Sequence, residues 1–203
     1  MRFIKQDNIS IREIVGVLHR GETIVYPTET CYGLGCDATN AAAVGKVFVI
    51  KKRPPEKSVL VIMADIDMAK KYVVWNDTID KLAKKYWPGP LTIVADACER
   101  EVVLPPGVMG LDGLIAFRIS SHPLASSICQ TLGRPLVSTS ANIAAEPEPY
   151  NIDSVIKMFQ DESAQPDIVI DAGGLPVTKP STIVRVRDNN VEVMRQGEIF
   201  IKA

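Results

Sequence analysis

Apolar residues at positions 11, 14, 15 and 18 recur at helical spacing behind Ser10-Ile11-Arg12-Glu13, a serine with a glutamate three places on. That pattern is a capping box opening a helix, which Gly21 closes. Residues 22–27 (ETIVYP) read as a strand. TETCYGLGCD, 28–37, holds two glycines and reads as a loop. Thr39 is expected to cap a second helix running to about Ile50, with Val44, Val47 and Phe48 on one face. The apolar run 59–63 predicts a strand covered on both sides. Asp65 and Asn76 cap two more helices, the second with Ile79, Leu82, Ala83 and Tyr86 inward. Trp87-Pro88-Gly89-Pro90 stops that helix and launches a strand over 91–95. Residues 98–113 read as irregular, 114–119 as a strand, 123–132 as a helix and 135–139 as a strand. A helix starts near Ile152, and a strand spans 168–171. Two runs, 181–187 and 191–195, flank Asp188-Asn189-Asn190 as a hairpin. Strands and helices alternate, yet the last hairpin must be antiparallel. The expectation is an α/β fold with a twisted, open, mixed sheet flanked by helices.

The length of 203 residues predicts a single domain, 1–203, and 46% hydrophobic content suffices for a sizeable core. A formal net charge of −1 argues against a coat for nucleic acid but allows a local basic pocket. The N-terminal residues lack an apolar run of signal-peptide length, and no run approaches the ~18 residues of a membrane helix. Cys31, Cys36, Cys98 and Cys129 form no CxxC pair, and neither His19 nor His122 stands at ligand spacing. Free thiols in a reducing cytoplasm are therefore expected, with no metal held by protein side chains.

Three stretches carry candidate chemistry. Lys51-Lys52-Arg53 runs into Pro54-Pro55. If 51–53 are extended, Lys51 and Arg53 share a face and form an anion clamp, with Lys52 opposite. Ser138-Thr139-Ser140-Ala141-Asn142 offers hydroxyls and an amide at a strand's carboxyl end, where ligands of open α/β sheets gather. Gly33 and Gly35 would let backbone amides approach a ligand. Neither GxGxxG nor GxxxxGK[ST] is present, so phosphate binding here is of another kind. Arg118 and Arg195 lie near strand ends. The 171–180 segment, DAGGLPVTKP, has the composition of a flap. These residues alone point to an anion or nucleotide pocket.

In order along the chain stand PTETCYGLG, KKRP, WPGPLTIV, FRISSHP, STSAN and KPSTIVRV. With these motifs the chain resembles the YrdC family, the L-threonylcarbamoyladenylate synthases, in their short, single-domain form. The resemblance implies a twisted sheet around a positively charged cavity. It implies that L-threonine, bicarbonate and ATP, with Mg²⁺, give threonylcarbamoyl-AMP and pyrophosphate. A separate transferase complex would then carry the group to adenosine of tRNA. Lys51 and Arg53 match the family's KxR pair, and Ser140 and Asn142 its SxN pair, a tetrad for the triphosphate. Arg195 matches a nucleotide-contacting arginine. Thr28, Arg118 and Ser181 match threonine-binding positions, joined by Ser138, with Arg118 on the carboxylate.

The chain departs from the family's pattern at several places. Lys52 stands where glycine is common and is expected to face away. Lys57 and Ser58 replace asparagine and proline, which makes an ATP contact cationic. Ile62 replaces a histidine of some members. Ile143-Ala144-Ala145 follows where serine and glycine are frequent. Two other readings predict different behaviour. A tRNA- or double-stranded-RNA-binding module would bind RNA salt-sensitively without ATP turnover. A paralogue without synthase activity would keep the fold alone, and the presence of both KxR and SxN speaks against it.

Overall fold

A computed structural model describes residues 1–98 and 104–201. The chain runs β1 (Arg2–Lys5), α1 (Ile11–His19), β2 (Ile24–Pro27), β3 (Tyr32–Gly35), α2 (Ala41–Lys51), β4 (Val61–Ile62), α3 (Ile66–Tyr72) and α4 (Asp77–Tyr86). It continues with β5 (Leu91–Asp96), β6 (Leu114–Arg118), α5 (Pro123–Leu132), β7 (Leu136–Val137), β8 (Thr139–Ser140), α6 (Ile152–Phe159), β9 (Ile168–Asp171), β10 (Thr182–Arg187) and β11 (Asn190–Arg195). The expected irregular stretch 98–113 falls partly on 99–103, outside the described residues.

The α/β class with mixed strand directions holds, but the strands divide between two sheets. One has the order β1-β9-β2-β3-β8, the other β11-β10-β5-β6-β4-β7. Each mixes parallel and antiparallel pairs: β1, β9 and β2 are parallel, while β3 runs antiparallel to β2 and β8.

Strand alternation explains how the layers pack. Val25 and Val169 enter one core, shared with Ile93, Phe117 and Val184 of the other sheet. Their neighbours Ile24, Tyr26, Ile168 and Ile170 point the other way, into a second core under α1 and α5. The near-continuous apolar runs thus exist because both faces are covered. Ile62 belongs to this second core and is fully buried, so it makes no contact with a ligand in the cavity described below.

Local chemistry moved several boundaries. Ser10 is the N-cap of α1, but its side chain makes no capping bond, and Glu13 pairs instead with Arg2 at 2.6 Å. Asn40, not Thr39, caps α2 through Ala43 N, because the Thr39 hydroxyl is engaged by Asp37 Oδ1 at 2.7 Å. Asp65 and Asn76 cap as expected. The stretch 28–37 is not all loop, since β3 pairs with β2 in a hairpin.

The glycines of β3 answer to packing more than to a ligand. A Cβ on Gly35 would land on the Val137 carbonyl oxygen and lie 2.8 Å from the Tyr26 ring. Val137 passes there because the chain steps from one sheet to the other at Ser138, between β7 and β8. Backbone cannot yield as a flexible side chain does. Gly35→Ala is expected to cost about 3 kcal/mol or more, at the upper end of overpacking effects. A urea unfolding curve checks it, and a midpoint equal to wild type would contradict it.

Candidate functional site

The sheet-to-sheet step gathers side chains from distant segments around one cavity. Its lining includes Thr28 and Thr30 from the β2–β3 turn and Arg53 after α2. Arg118 comes from the end of β6, Ser138 and Ser140 from the step itself, Ser181 from just before β10 and Arg195 from the end of β11. Of the residues expected at a site, Lys51, Asn142 and Lys57 are absent from this lining.

Lys51 is not extended beside Arg53. It ends α2, Lys52 adopts φ 49, and Arg53 N donates to Phe48 O while Lys52 N donates to Val49 O. This is a Schellman cap with lysine in the left-handed position that glycine usually fills. Pro54 acts on Arg53 as expected, but only after the helix has closed. The Lys52 side chain faces away, to Glu162 at 2.8 Å.

The Lys51 ammonium is 2% exposed and turns inward. It donates to Ser140 O (2.5 Å), Asn142 O (2.8 Å) and Asn142 Oδ1 (2.9 Å). Ser140 Oγ donates to the same Oδ1 at 2.7 Å, and Asn142 Nδ2 donates to Glu146 O. Ala144 N closes the clasp onto Lys51 O at 2.8 Å. The KxR and SxN pairs are therefore joined, but Lys51 and Asn142 stand behind Ser140 and Arg53 rather than at the cavity wall. The Lys57 side chain is exposed, and only its carbonyl takes part, accepting from Arg53 Nε at 2.8 Å.

Two non-glycine residues in the left-handed region flank this clasp, Lys52 and Ala145 (φ 74). That conformation costs about 1–2 kcal/mol for an L-residue. At Ala145 the methyl side chain offers nothing to offset it, so Ala145→Gly is expected to stabilise by about 0.5–1 kcal/mol after the entropy lost by glycine. At Lys52 glycine also forfeits the partly exposed Glu162 pair, worth about 0–1 kcal/mol, so Lys52→Gly is expected to be near neutral. Melting curves of the two variants check the contrast, and the reverse order would contradict it.

Burial, reinforced by the neighbouring Arg53 guanidinium, pulls the Lys51 ammonium from 10.5 down to about 8. Between about pH 8 and 10.5 the unfolded chain holds a proton that the folded chain has released. This group therefore adds stability as pH rises through that window. Its positive charge behind the cavity disappears over the same range. Affinity for inorganic pyrophosphate is expected to fall above about pH 8, in the direction opposite to this group's stability contribution. Calorimetric titrations beside urea midpoints across that range check the pair of signs.

Arg118 is 3% exposed. Its Nε lies 3.3 Å from Glu29 Oε1, near enough for an ion pair, yet neither atom has an aligned hydrogen-bond partner among the described residues. Nη2 reaches Thr30 Oγ1 only at 3.5 Å. Arg53 rests on the carbonyls of Lys57 and Ser58 (2.8 and 3.0 Å), and Arg195 on the Ser181 carbonyl (2.8 Å through Nη2). Burial pulls the Arg53 and Arg195 guanidinium groups down, and Glu148 partly opposes this at Arg195. Both stay charged at neutral pH. Among the described residues, Nη1 of Arg53, Arg118 and Arg195 has no hydrogen-bond partner. Of the three only Arg118 is buried, and its open N–H groups suit an anionic ligand.

Hydroxyl groups surround the arginines. Thr28 Oγ1 donates to Cys31 O at 2.7 Å, which shapes the β2–β3 turn. Ser181 Oγ accepts from Thr92 Oγ1 (2.9 Å) and Arg195 Nη2 (3.2 Å). The 171–180 segment is tied beside them, Thr178 Oγ1 donating to Thr30 O at 3.2 Å and Thr178 O accepting from Tyr150. Cys31 also lines the cavity, but burial pushes its thiol up to about 12, so it is no nucleophile at neutral pH. All four cysteines are free, as expected.

Sequence reasoning missed Glu29, Ser120 and Glu148. Glu29 meets an arginine far along the chain, which no local pattern signals. Glu148 sits in the polar loop AAEPEPYN and lines the cavity as a carboxylate among arginines. No group of three His, Cys, Asp or Glu side chains among the described residues could hold a metal ion. No described helix is long and apolar enough to cross a membrane.

Residues 16–197 match the sequence profile of the Sua5/YciO/YrdC family, described as "Telomere recombination". A threonylcarbamoyl-AMP synthase of Vibrio vulnificus (strain YJ016) is 34% identical over 193 residues, spanning 93% of this chain and 98% of the relative. Sua5 of P. abyssi, solved in complex with L-threonine, superposes with a TM-score of 0.86 at 28% identity. The match covers 97% of this chain and 57% of that longer one. E. coli YciO superposes with a TM-score of 0.81 at 25% identity, covering 97% of this chain and 94% of the other.

Proposed function

The chain belongs to the Sua5/YciO/YrdC family, and on that premise we propose that it is an enzyme forming threonylcarbamoyl-AMP and pyrophosphate from L-threonine, bicarbonate and ATP. The observation that carries this reading is Arg118: a buried guanidinium with free N–H groups, facing the same cavity as Arg53. One cavity with separate cationic points suits two anionic partners that must meet, a carboxylate and a polyphosphate.

In this reading the threonine carboxylate takes the open N–H groups of Arg118, with Thr28, Ser138 and Ser181 around the amino acid. The triphosphate lies against Arg53, Ser140 and Arg195. Lys51 and Asn142 hold Ser140 in place and add charge from behind. The threonine amine condenses with bicarbonate, releasing water and leaving a carbamate. A carbamate oxygen attacks the α-phosphorus, and the bond to pyrophosphate breaks. The protein forms no covalent intermediate; it acts by positioning and by stabilising charge at phosphorus. Mg²⁺ fits here as a companion of ATP, since it prefers phosphate oxygens with one or two carboxylates, and Glu148 is the carboxylate at hand. It would neutralise phosphate charge. A separate transferase would move the group to adenosine of tRNA.

The testing experiment is pyrophosphate release from ATP with bicarbonate across several amino acids. Threonine-dependent release supports the reading. Release without any amino acid, or salt-sensitive RNA binding with no turnover, would overturn it. Selectivity over serine rests on one methyl group, worth only about 1–3 kcal/mol, so serine is expected to be a weak substrate.

A further inference from the structure

The cations of the cavity are not electrically alike. Arg53 rests on neutral carbonyl oxygens and forms no ion pair among the described residues, while Arg195 rests on the Ser181 carbonyl with the Glu148 carboxylate of the cavity acting on it from a distance. Arg118 has the Glu29 carboxylate 3.3 Å away, both side chains being largely buried at 3% and 12% exposure. Glu29 is itself tied. Ser120 Oγ donates to its Oε2, and His122 N donates to Ser120 Oγ at 3.2 Å, fixing the chain of bonds to the start of α5.

We propose that Glu29, held by Ser120, keeps the Arg118 end of the cavity charge-balanced and so reserves it for a monocarboxylate, leaving polyphosphate to the Arg53 end. This deepens the synthase reading and rests on it for the identity of the carboxylate. An anion bound at Arg118 also meets the field of Glu29. A single carboxylate accepts two N–H bonds and brings one charge. A phosphate group brings more charge and suffers correspondingly more repulsion from Glu29, while Arg53 offers it an uncancelled cation. Glu29 does not line the cavity and touches no substrate in this account; it acts through Arg118 as a positioning and selecting residue.

The test is calorimetric binding of threonine to the full chain, with and without inorganic phosphate, for wild type, Glu29→Gln, Glu29→Asp and Ser120→Ala. Phosphate is expected not to displace threonine from the wild type. In Glu29→Gln, threonine affinity should fall roughly 10- to 100-fold through the loosened arginine, and phosphate should now compete with it. Glu29→Asp keeps the charge, so threonine weakens while phosphate stays excluded. Ser120→Ala should weaken threonine in the same way. A merely structural glutamate would lower threonine affinity without admitting phosphate. Phosphate exclusion unchanged in a folded Glu29→Gln, or phosphate displacing threonine from the wild type, overturns the proposal. If Glu29→Gln does not fold, the wild-type competition and the Ser120→Ala affinity decide it, an unchanged Ser120→Ala refuting the tether. Binding needs no turnover. A chain that binds with these selectivities but releases no pyrophosphate refutes the synthase reading alone.

Discussion

Replacing Arg118 with alanine is expected to raise the KM for threonine about 30-fold or more while leaving the KM for ATP within about twofold. The guanidinium is 3% exposed and has little protein hydrogen bonding to lose. Its value lies in what it offers a ligand. Truncating one partner of a buried charge pair costs about 2–5 kcal/mol. The same change strands Glu29, and an uncompensated buried charge costs about 3–5 kcal/mol of stability. Two consequences therefore travel together, and Arg118→Lys separates them. Lysine keeps the charge beside Glu29, so the fold should survive, but it lacks the planar fork that grips a carboxylate. Steady-state kinetics in both substrates, beside melting curves, check this. A lysine variant with wild-type threonine KM would show that the arginine matters only for folding.

The second large effect is at Lys51. In Lys51→Met, Asn142 O loses its donor, while Ser140 O keeps Asn142 N (2.9 Å) and Asn142 Oδ1 keeps Ser140 Oγ (2.7 Å). A buried acceptor left unpaired costs about 1–3 kcal/mol, and each further hydrogen bond lost from the charged donor about 1.5–3 kcal/mol. Against this stands the relief of no longer burying a charge. A pKa drawn from 10.5 to about 8 puts that relief on the order of 3 kcal/mol. The net loss expected is about 2–4 kcal/mol, a fall in Tm on the order of 5–15 °C for a chain of this size. Activity should fall further than stability accounts for. Ser140 would be held by Asn142 alone, and the strained backbone at Lys52 and Ala145 would be free to relax. The variant assayed well below its own Tm should still release little pyrophosphate. Near-normal turnover there would mean that Lys51 is only a strut.

Much of the fold and part of the site are legible in the sequence. Pro123–Leu132, the Asp65 and Asn76 caps and the closing hairpin follow from local rules, and they stand where the pattern put them. β3 was hidden because Gly33 and Gly35 read as loop residues; they are glycine because Thr28, Tyr26 and Val137 occupy the space a side chain would need. The clamp geometry of Lys51 and Arg53 failed because the helix outlasted Ile50 and closed on itself through Lys52, so strand alternation never applied. The division into two sheets turns on Ser138, whose neighbours pair with β4 on one side and β3 on the other. No periodicity in five residues announces such a step. Glu29 and Arg118 belong to elements brought together only by the fold, which is why the arginine was found and its partner was not.

The central claim is that one cavity holds a carboxylate and a polyphosphate close enough to be joined through a carbamate. Incubating the protein with ATP, threonine and isotopically labelled bicarbonate, then weighing the nucleotide product, tests it most directly. An AMP adduct that contains both threonine and the labelled carbon is the result this account predicts. An adduct of threonine and AMP without the label, or no adduct at all, would contradict it.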